Sequence, residues 1–263
     1  MSANAASVTA EPITGALGAV VSGVDLTLPD AVDLVRPLLD EHLVLRCPGQ
    51  DLDRFRLAAV GRGFGPPFLH PIVSNGFADC PEVLELRREP DDQIMFGGES
   101  WHADCTWLDP AGYTSILHAR EIPAVGGDTA FASTIAAFES LSPGLQDTLR
   151  DLSAVHAYHW SERREEPPFV VTHPVVRRHP ATGREGLYVN RMFTTRFEGM
   201  TIAESAPLMA FLCAHMERIE HTCRFRWATG DVLIWDNRFT LHYPVNDFTG
   251  HRRVMIRTTA LEA

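Results

Sequence analysis

WHADCTW, Trp101 to Trp107, places a carboxylate two residues after an imidazole and sets both between indoles. In an extended chain the side chains of residues i and i+2 project from one face. His102 and Asp104 then converge on one point, with Ala103 and Cys105 turned away, and Cys105 reads as a packing residue. A convergent imidazole and carboxylate can hold a divalent cation or can simply hydrogen-bond to each other. The triplet alone leaves both readings open, and a cation would need a third ligand from elsewhere in the chain.

The search for that ligand leads to WDNRFTLHYPVNDFTGHRRVMIRTT, Trp235 to Thr259, which is dense in polar side chains although apolar runs flank it. His242 follows a strand-turn. Arg253 and Arg257 stand eleven and fifteen residues beyond it. Four residues apart on one strand, the two arginines share a face. A pair of guanidiniums looking into one cavity from a core strand needs anions to compensate it.

Composition removes several function classes. The 263 residues are 45% hydrophobic and 22% charged, the profile of a globular protein able to bury a core. A net charge of −11 argues against wrapping nucleic acid or an anionic membrane. No apolar run approaches the ~20 residues of a membrane helix. The start, MSANAASVTAEP, has neither the basic region nor the apolar core of a signal peptide, and residues 1–12 are expected to form a loose tail. Five cysteines without a C-x-x-C fit reduced thiols in a cytoplasm. The chain has no lysine, all 23 basic residues being arginine, which excludes Schiff-base chemistry, pyridoxal-phosphate anchoring and a P-loop.

Short strand-like runs dominate, punctuated by Gly, Pro, Asn and Asp. They are GAVVSGVDL (18–26), LVLRC (43–47), VLELRR (83–88), YTSILHARE (113–121), GDTAFAS (127–133), GLYVN (186–190), CRFRWATGDVLIWDN (223–237) and RVMIRTTAL (253–261). HPATGRE (179–185) reads as a hairpin turn. Helices are expected over 31–41, 53–63, 135–141, 143–152 (with Ser142 as N-cap) and 202–221. In the last of these Thr201 and Glu204 form a capping box and Leu208, Phe211, Leu212, Met216 and Ile219 an apolar stripe. His215, beside that stripe, is expected to be a buried structural histidine. SERREEPP (161–168) reads as a mobile surface loop. The pattern predicts one mainly β domain over residues 1–263, a sandwich or jelly roll with flanking helices.

Taken together, WHADCTW, GGDTAFAS, HPVVRRHPATGREGLYVN, WDNRFTLHYPVND and RRVMIR make the chain resemble, over nearly its whole length, the iron(II)- and 2-oxoglutarate-dependent dioxygenases of the taurine/2,4-dichlorophenoxyacetate type. The resemblance implies a double-stranded β-helix core (jelly-roll, cupin-like). It implies that His102, Asp104 and His242 are a facial triad for Fe(II), with three coordination positions left for other ligands. Arg253 matches the arginine that grips the distal carboxylate of 2-oxoglutarate, a task suited to a planar guanidinium fork, and Thr129 matches the hydroxyl that bonds the same carboxylate. Arg257 matches an arginine that meets the substrate's anionic head, and His70, in FLHP, a substrate-pocket histidine. Trp107, Val73 and the segment from Ser161 to His173 would then face the substrate's body. The histidines at 118, 156, 159, 173 and 179 read as ordinary, with His156 and His159 candidates for the pocket's edge.

The implied reaction couples O2 and the oxidative decarboxylation of 2-oxoglutarate, giving succinate and CO2, to oxidation of a small anionic substrate. Hydroxylation beside a heteroatom would break the adjoining bond. Val73 and Gly98 replace a tyrosine and an asparagine that help recognise taurine, so taurine itself is not the expected substrate. Glu99 stands beside the metal motif as a carboxylate without an assigned role. The segment where the family carries a lid is short, which suits an open pocket. Two other classes stay open from the residues alone: a β-sandwich that binds a metal or anion without catalysis, and a His/Asp/His metal-dependent hydrolase or isomerase. Neither needs a second carboxylate clamp at Arg253. The expected partners are small molecules, with a homo-oligomer (dimer or tetramer) left open.

Overall fold

The run VLIWD, Val232 to Asp236, is buried at every position, which requires a strand covered on both faces. Its neighbours explain how. In the computed structural model, which describes residues 8–71, 75–92, 100–158 and 169–263, Val232 and Ile234 pack outward with Val35, Leu39 and Leu57. Leu233 and Trp235 point the other way, against Phe131, Phe225 and Met255. The period-two alternation thus serves two apolar layers at once.

The chain begins with β1 (Thr9–Pro12), β2 (Ala19–Ser22), α1 (Ala31–His42), β3 (Val44–Cys47) and α2 (Arg54–Phe64). There follow β4 (Gly76–Phe77), β5 (Cys80–Arg88), β6 (Gly112–Glu121), β7 (Thr129–Ser133), α3 (Thr134–Glu139) and α4 (Pro143–Arg150). Next come β8 (Ser153–Tyr158), β9 (Phe169–Pro174), β10 (Val176–Arg178), β11 (Glu185–Leu187), β12 (Thr194–Phe197) and α5 (Ile202–Met216). The chain closes with β13 (Thr222–Phe225), β14 (Val232–Asp236), β15 (Thr240–Pro244) and β16 (Arg253–Leu261).

An eight-stranded sheet, ordered β1-β2-β3-β14-β6-β16-β5-β4, packs on a three-stranded sheet, β13-β7-β15. This is a jelly-roll core, mainly β. Helices α1 and α2 cover the outer face of the large sheet, and α3, α4 and α5 pack with Leu187, Phe197 and Leu241 on the far side of the small one. Each buried Leu, Val or Ile in these layers contributes roughly 1.5–3 kcal/mol relative to exposure. In β16, Ile256 and Ala260 face the helices, whereas Met255 faces the inter-sheet space. That parity also turns Arg253 and Arg257 inward.

Several expectations need correction. Residues 9–12 are not loose tail: β1 pairs antiparallel with β2, from Thr9 opposite Ser22 to Pro12 opposite Ala19. Residues 1–7 lie outside the described residues. Helix α5 ends at Met216 and not at His221, the chain passing through an extended Arg218 into a short 3-10 turn. Ile219 had matched the apolar stripe, but beyond the helix end it is 85% exposed. Ser142 occupies the N-cap position of α4 without a side-chain capping bond. The capping box of Thr201 and Glu204 is present, His215 is buried with Nε2 at 3.0 Å from the Ala137 carbonyl, and 179–184 turns the β10–β11 hairpin. All five cysteines are free and buried. The 161–168 loop lies outside the described residues.

Candidate active site

His102 and His242 are brought together by main chain. They form an antiparallel bridge in which His102 N–H donates to the His242 carbonyl at 3.1 Å and His242 N–H donates to the His102 carbonyl at 2.7 Å. Residues directly opposed in this way project side chains from the same face, and the two imidazole centroids are 4.1 Å apart. Asp104 follows on the turn. Its Oδ1 is 3.8 Å from His102 Nε2 and 3.8 Å from His242 Nε2, too far for hydrogen bonds and a suitable gap for a cation between them. One donor atom from each of the three lies within 4.8 Å of the others, the only such group of three among the described residues.

The protonation states suit a ligand set. His102 Nδ1 lies 2.9 Å from the Ser100 carbonyl, which can only accept, so Nδ1 carries the proton and Nε2 keeps its lone pair toward Asp104. Burial lowers the pKa of His102, against the opposing pull of Asp104. Burial, then the neighbouring His102, lowers that of His242 further. Burial alone would raise the Asp104 carboxyl, but Arg257, His242, His102 and the Ser115 hydroxyl outweigh it and hold the group well below the usual carboxylate range. Two neutral imidazoles and an ionised carboxylate result.

The expected extended geometry stops at Ala103. Cys105 has a left-handed φ of 57°, and the turn it makes swings its side chain to the cavity wall with Phe68, Trp107 and Phe193 rather than away from it. Gly112 lets a neighbouring strand approach this turn, since a Cβ there would stand 2.6 Å from the Asp104 carbonyl oxygen.

A cavity of about 360 Å³ opens between the sheets, lined by His102, Asp104 and His242 and by residues of β5, β7, β15 and β16.

 Arg253 and Arg257 both reach it from β16, and Thr129 reaches it from β7. Arg253 Nε is buried without a hydrogen-bond partner among the described residues. Burial, against the pull of Asp128, pushes the Arg253 guanidinium down to about 10. A buried cationic donor in that state calls for an anionic acceptor. Gly127, at φ +73°, leaves room for it: a Cβ there would stand 3.3 Å from Arg253 Nε.

Thr129 Oγ1 accepts from Trp227 Nε1–H at 3.0 Å. An indole N–H can only donate, so the hydroxyl proton of Thr129 is directed elsewhere. Trp227 escaped the sequence reading, because nothing periodic links positions 98 residues apart. Ser115 and Asn237, which hold Asp104, escaped it as well. Ser115 did leave a signal, a hydroxyl on the face of β6 that otherwise carries the inward Leu117 and Ala119.

Arg257 is not the uncompensated charge that the sequence reading supposed. Its Nη2 lies 2.8 Å from Asp104 Oδ2, and its Nε and Nη2 reach Thr259 Oγ1 at 3.4 Å. It nevertheless lines the cavity. His70 and Trp107 lie on the cavity's aromatic wall, with ring centroids 6.1 Å apart. Trp107 also packs on Tyr158 at 4.6 Å and Phe169 at 4.9 Å. Burial, then Arg257, lowers the pKa of His70. His156 does not edge the cavity; it is buried behind it, with Nδ1 at 3.0 Å from Thr106 Oγ1. Val73, Gly98, Glu99 and His159 lie outside the described residues, as does most of the segment from Ser161 to His173.

Residues 9–259 match the family described as taurine catabolism dioxygenase TauD, TfdA family. The chain is 34% identical to an alpha-ketoglutarate-dependent sulfate ester dioxygenase of Pseudomonas putida, over 94% of this chain and 87% of that one. It is 31% identical to an alpha-ketoglutarate-dependent 2,4-dichlorophenoxyacetate dioxygenase of Cupriavidus pinatubonensis, over 97% and 98%. A crystal structure of a taurine dioxygenase from Burkholderia xenovorans superposes with a TM-score of 0.85 at 33% identity, covering 98% of this chain and 90% of that one.

Proposed function

This chain belongs to the taurine catabolism dioxygenase (TauD, TfdA) family, and from that premise we propose how its residues divide the work. It is a 2-oxoglutarate-dependent dioxygenase that uses Fe(II) and O2 and oxidises a small anionic substrate. In our reading His102, Asp104 and His242 hold the Fe(II). The observation that carries this assignment is their convergence, with Asp104 Oδ1 3.8 Å from both Nε2 atoms, on one cavity with Arg253, whose buried Nε has no partner among the described residues and would anchor the cosubstrate. Two imidazole nitrogens and one carboxylate oxygen suit non-haem Fe(II). Arg253 and the Thr129 hydroxyl bind the distal carboxylate of 2-oxoglutarate. With both bound, the site couples O2 and decarboxylation of 2-oxoglutarate to succinate and CO2 with oxidation of the substrate.

The protein's own contribution is orientation and exclusion of water. Trp107, Tyr158, Phe193 and Phe68 give the substrate side an apolar aromatic wall. We read this as the place for a flat or alkyl body carrying one anionic head, as in a sulfate ester or an aryloxy acid, with the head toward Arg257. His70 borders the same wall. The enzyme is proposed to work as one domain in the cytoplasm; no helix among the described residues is long and apolar enough to cross a membrane.

The test is succinate release with a panel of alkyl sulfates, aryl sulfates, phenoxy acids, taurine and amino acids. Substrates with an apolar body and an anionic head should turn over, and Trp107→Ala should raise their KM several-fold without changing the KM for 2-oxoglutarate. Preferential turnover of taurine would reject the substrate assignment. Retention of Fe(II) binding by His102→Ala would reject the ligand assignment.

A further inference from the structure

Behind Asp104 the hydrogen bonds run in one direction, and groups that can only donate fix that direction. Trp235 Nε1–H donates to Asn237 Oδ1 at 3.0 Å, and the Asp104 backbone N–H donates to the same oxygen at 3.1 Å. Neither donor can accept, so the Asn237 amide must present its oxygen to them. Its nitrogen, Nδ2, then faces Ser115 Oγ at 2.9 Å and donates to it. Ser115 has a single proton left to give, and its shortest contact is Asp104 Oδ2 at 2.7 Å. Thr259 Oγ1, 3.1 Å from Ser115 Oγ, completes the set. Trp235, Asn237, Ser115 and Thr259 are all buried, so water does not compete for these bonds.

We propose that Asn237 and Ser115 are positioning residues for the iron centre, their directed chain ending as a donor on Asp104 Oδ2 so that Oδ1 alone is presented to the metal. The geometry supports both halves of this statement. Oδ2 is held by Ser115 and Arg257, while Oδ1 is the atom equidistant from the two imidazole nitrogens. Asn237 binds the backbone of Asp104 with one end of its amide and orients the Ser115 hydroxyl with the other, so a single side chain sets both the position and the rotation of the carboxylate. Without the Ser115 donor, Oδ2 keeps only Arg257, and the carboxylate turns more readily to offer both oxygens. That would take up a coordination position that 2-oxoglutarate or O2 needs.

The inference rests on the ligand set proposed above, and the experiment separates the two. Co(II) is titrated calorimetrically into the metal-free full-length protein, and the visible d–d spectrum of the Co(II)-loaded protein is recorded. Ser115→Thr and Ser115→Val have the same shape and differ in the hydroxyl. Ser115→Thr should bind Co(II) within about three-fold of the parent with the parent's spectrum; Ser115→Val should bind about ten-fold more weakly with an altered spectrum, the loss expected for one hydrogen bond to a charged group. Asn237→Asp replaces the donor facing Ser115 by an acceptor in the same space and should resemble Ser115→Val. Equal affinity and spectrum in the Thr and Val variants, whether high or low, would overturn the proposal, as would parent-like binding by Asn237→Asp. His102→Ala tests the ligand set alone: binding that survives it rejects that set, whatever the Ser115 pair does.

Discussion

Arg257 Nη2 lies 2.8 Å from Asp104 Oδ2, so an arginine that lines the cavity is the counter-ion of the carboxylate proposed to ligate the metal. The Arg257 side chain is 18% exposed and that of Asp104 7%, so the pair is shielded enough for its loss to matter. Removing one partner of a buried pair costs about 3–5 kcal/mol, because the other charge stays behind. A bound metal offers Asp104 a second cation. Arg257→Gln should therefore lower the Tm of the metal-free protein by about 5–10 °C and that of the Co(II)-loaded protein by clearly less. Differential scanning fluorimetry with and without Co(II) checks this; equal losses in both states would contradict it.

Arg253 predicts a different pattern. Its buried Nε has no partner among the described residues, and its neighbour Phe248 offers only a ring face, 5.6 Å from the guanidinium carbon. Arg253→Ala removes a charge-assisted contact contributing roughly 1.5–3 kcal/mol, so the Kd for 2-oxoglutarate should rise about ten-fold or more. Co(II) affinity should stay within about two-fold, because Arg253 touches none of the three proposed ligands. Anaerobic titration with each ligand in turn reads the two numbers separately. Unchanged 2-oxoglutarate affinity would remove Arg253 from its role.

Trp227 should act on the same cosubstrate through Thr129. Its indole N–H occupies an acceptor site on Thr129 Oγ1 and leaves the hydroxyl proton for the cavity. A net hydrogen bond is worth about 0.5–1.5 kcal/mol, so Trp227→Phe should weaken 2-oxoglutarate binding about two- to ten-fold. Thr129→Val should do at least as much. The double variant should be no worse than Thr129→Val, since the indole works only through that hydroxyl. Additive losses would show that Trp227 acts by another route.

These side-chain relationships mark the boundary of what the sequence discloses. Strands such as β6, β14 and β16 were legible as short runs rich in apolar and β-branched side chains between turn residues. The shared face of Arg253 and Arg257 followed from the two-residue repeat of an extended strand. His102, Asp104 and His242 were legible through their spacing within a family pattern, although their meeting depends on a main-chain bridge between residues 102 and 242. Asn237, Ser115 and Trp227 carry no such period: their bonds join neighbouring strands, or a strand end and a turn, between residues 98 to 133 positions apart, and only the closed fold sets those distances. β1 was missed because TAEP looks like tail, its residues being largely exposed and only Ala10 packing against the core while the backbone pairs with β2. The overlong reading of α5 has the opposite cause, an apolar stripe that continues after the helix has ended.

The last prediction concerns acid. His156 is buried, and its Nδ1 lies 3.0 Å from Thr106 Oγ1, directly behind Trp107. Burial, reinforced by His173 and outweighing the Tyr188 backbone, pushes its pKa down to about 3. An unfolded chain protonates the same imidazole near 6.5. As pH falls from about 6.5 toward about 3, the unfolded state therefore takes up a proton that the folded state resists, and stability drops. Full titration of one such group corresponds to about 1.4 kcal/mol per pH unit. His156→Gln removes that group, so its Tm should fall less steeply than the parent's between pH 6.5 and pH 4.5. At pH 7.5, where His156 is neutral in both states, the variant should instead be the less stable protein, having lost the packing of the ring on Tyr188 and His173. The two Tm curves should therefore converge as the pH is lowered. Parallel curves across that range would show that His156 titrates normally in the folded protein and is not the buried neutral group behind the Thr106–Trp107 turn.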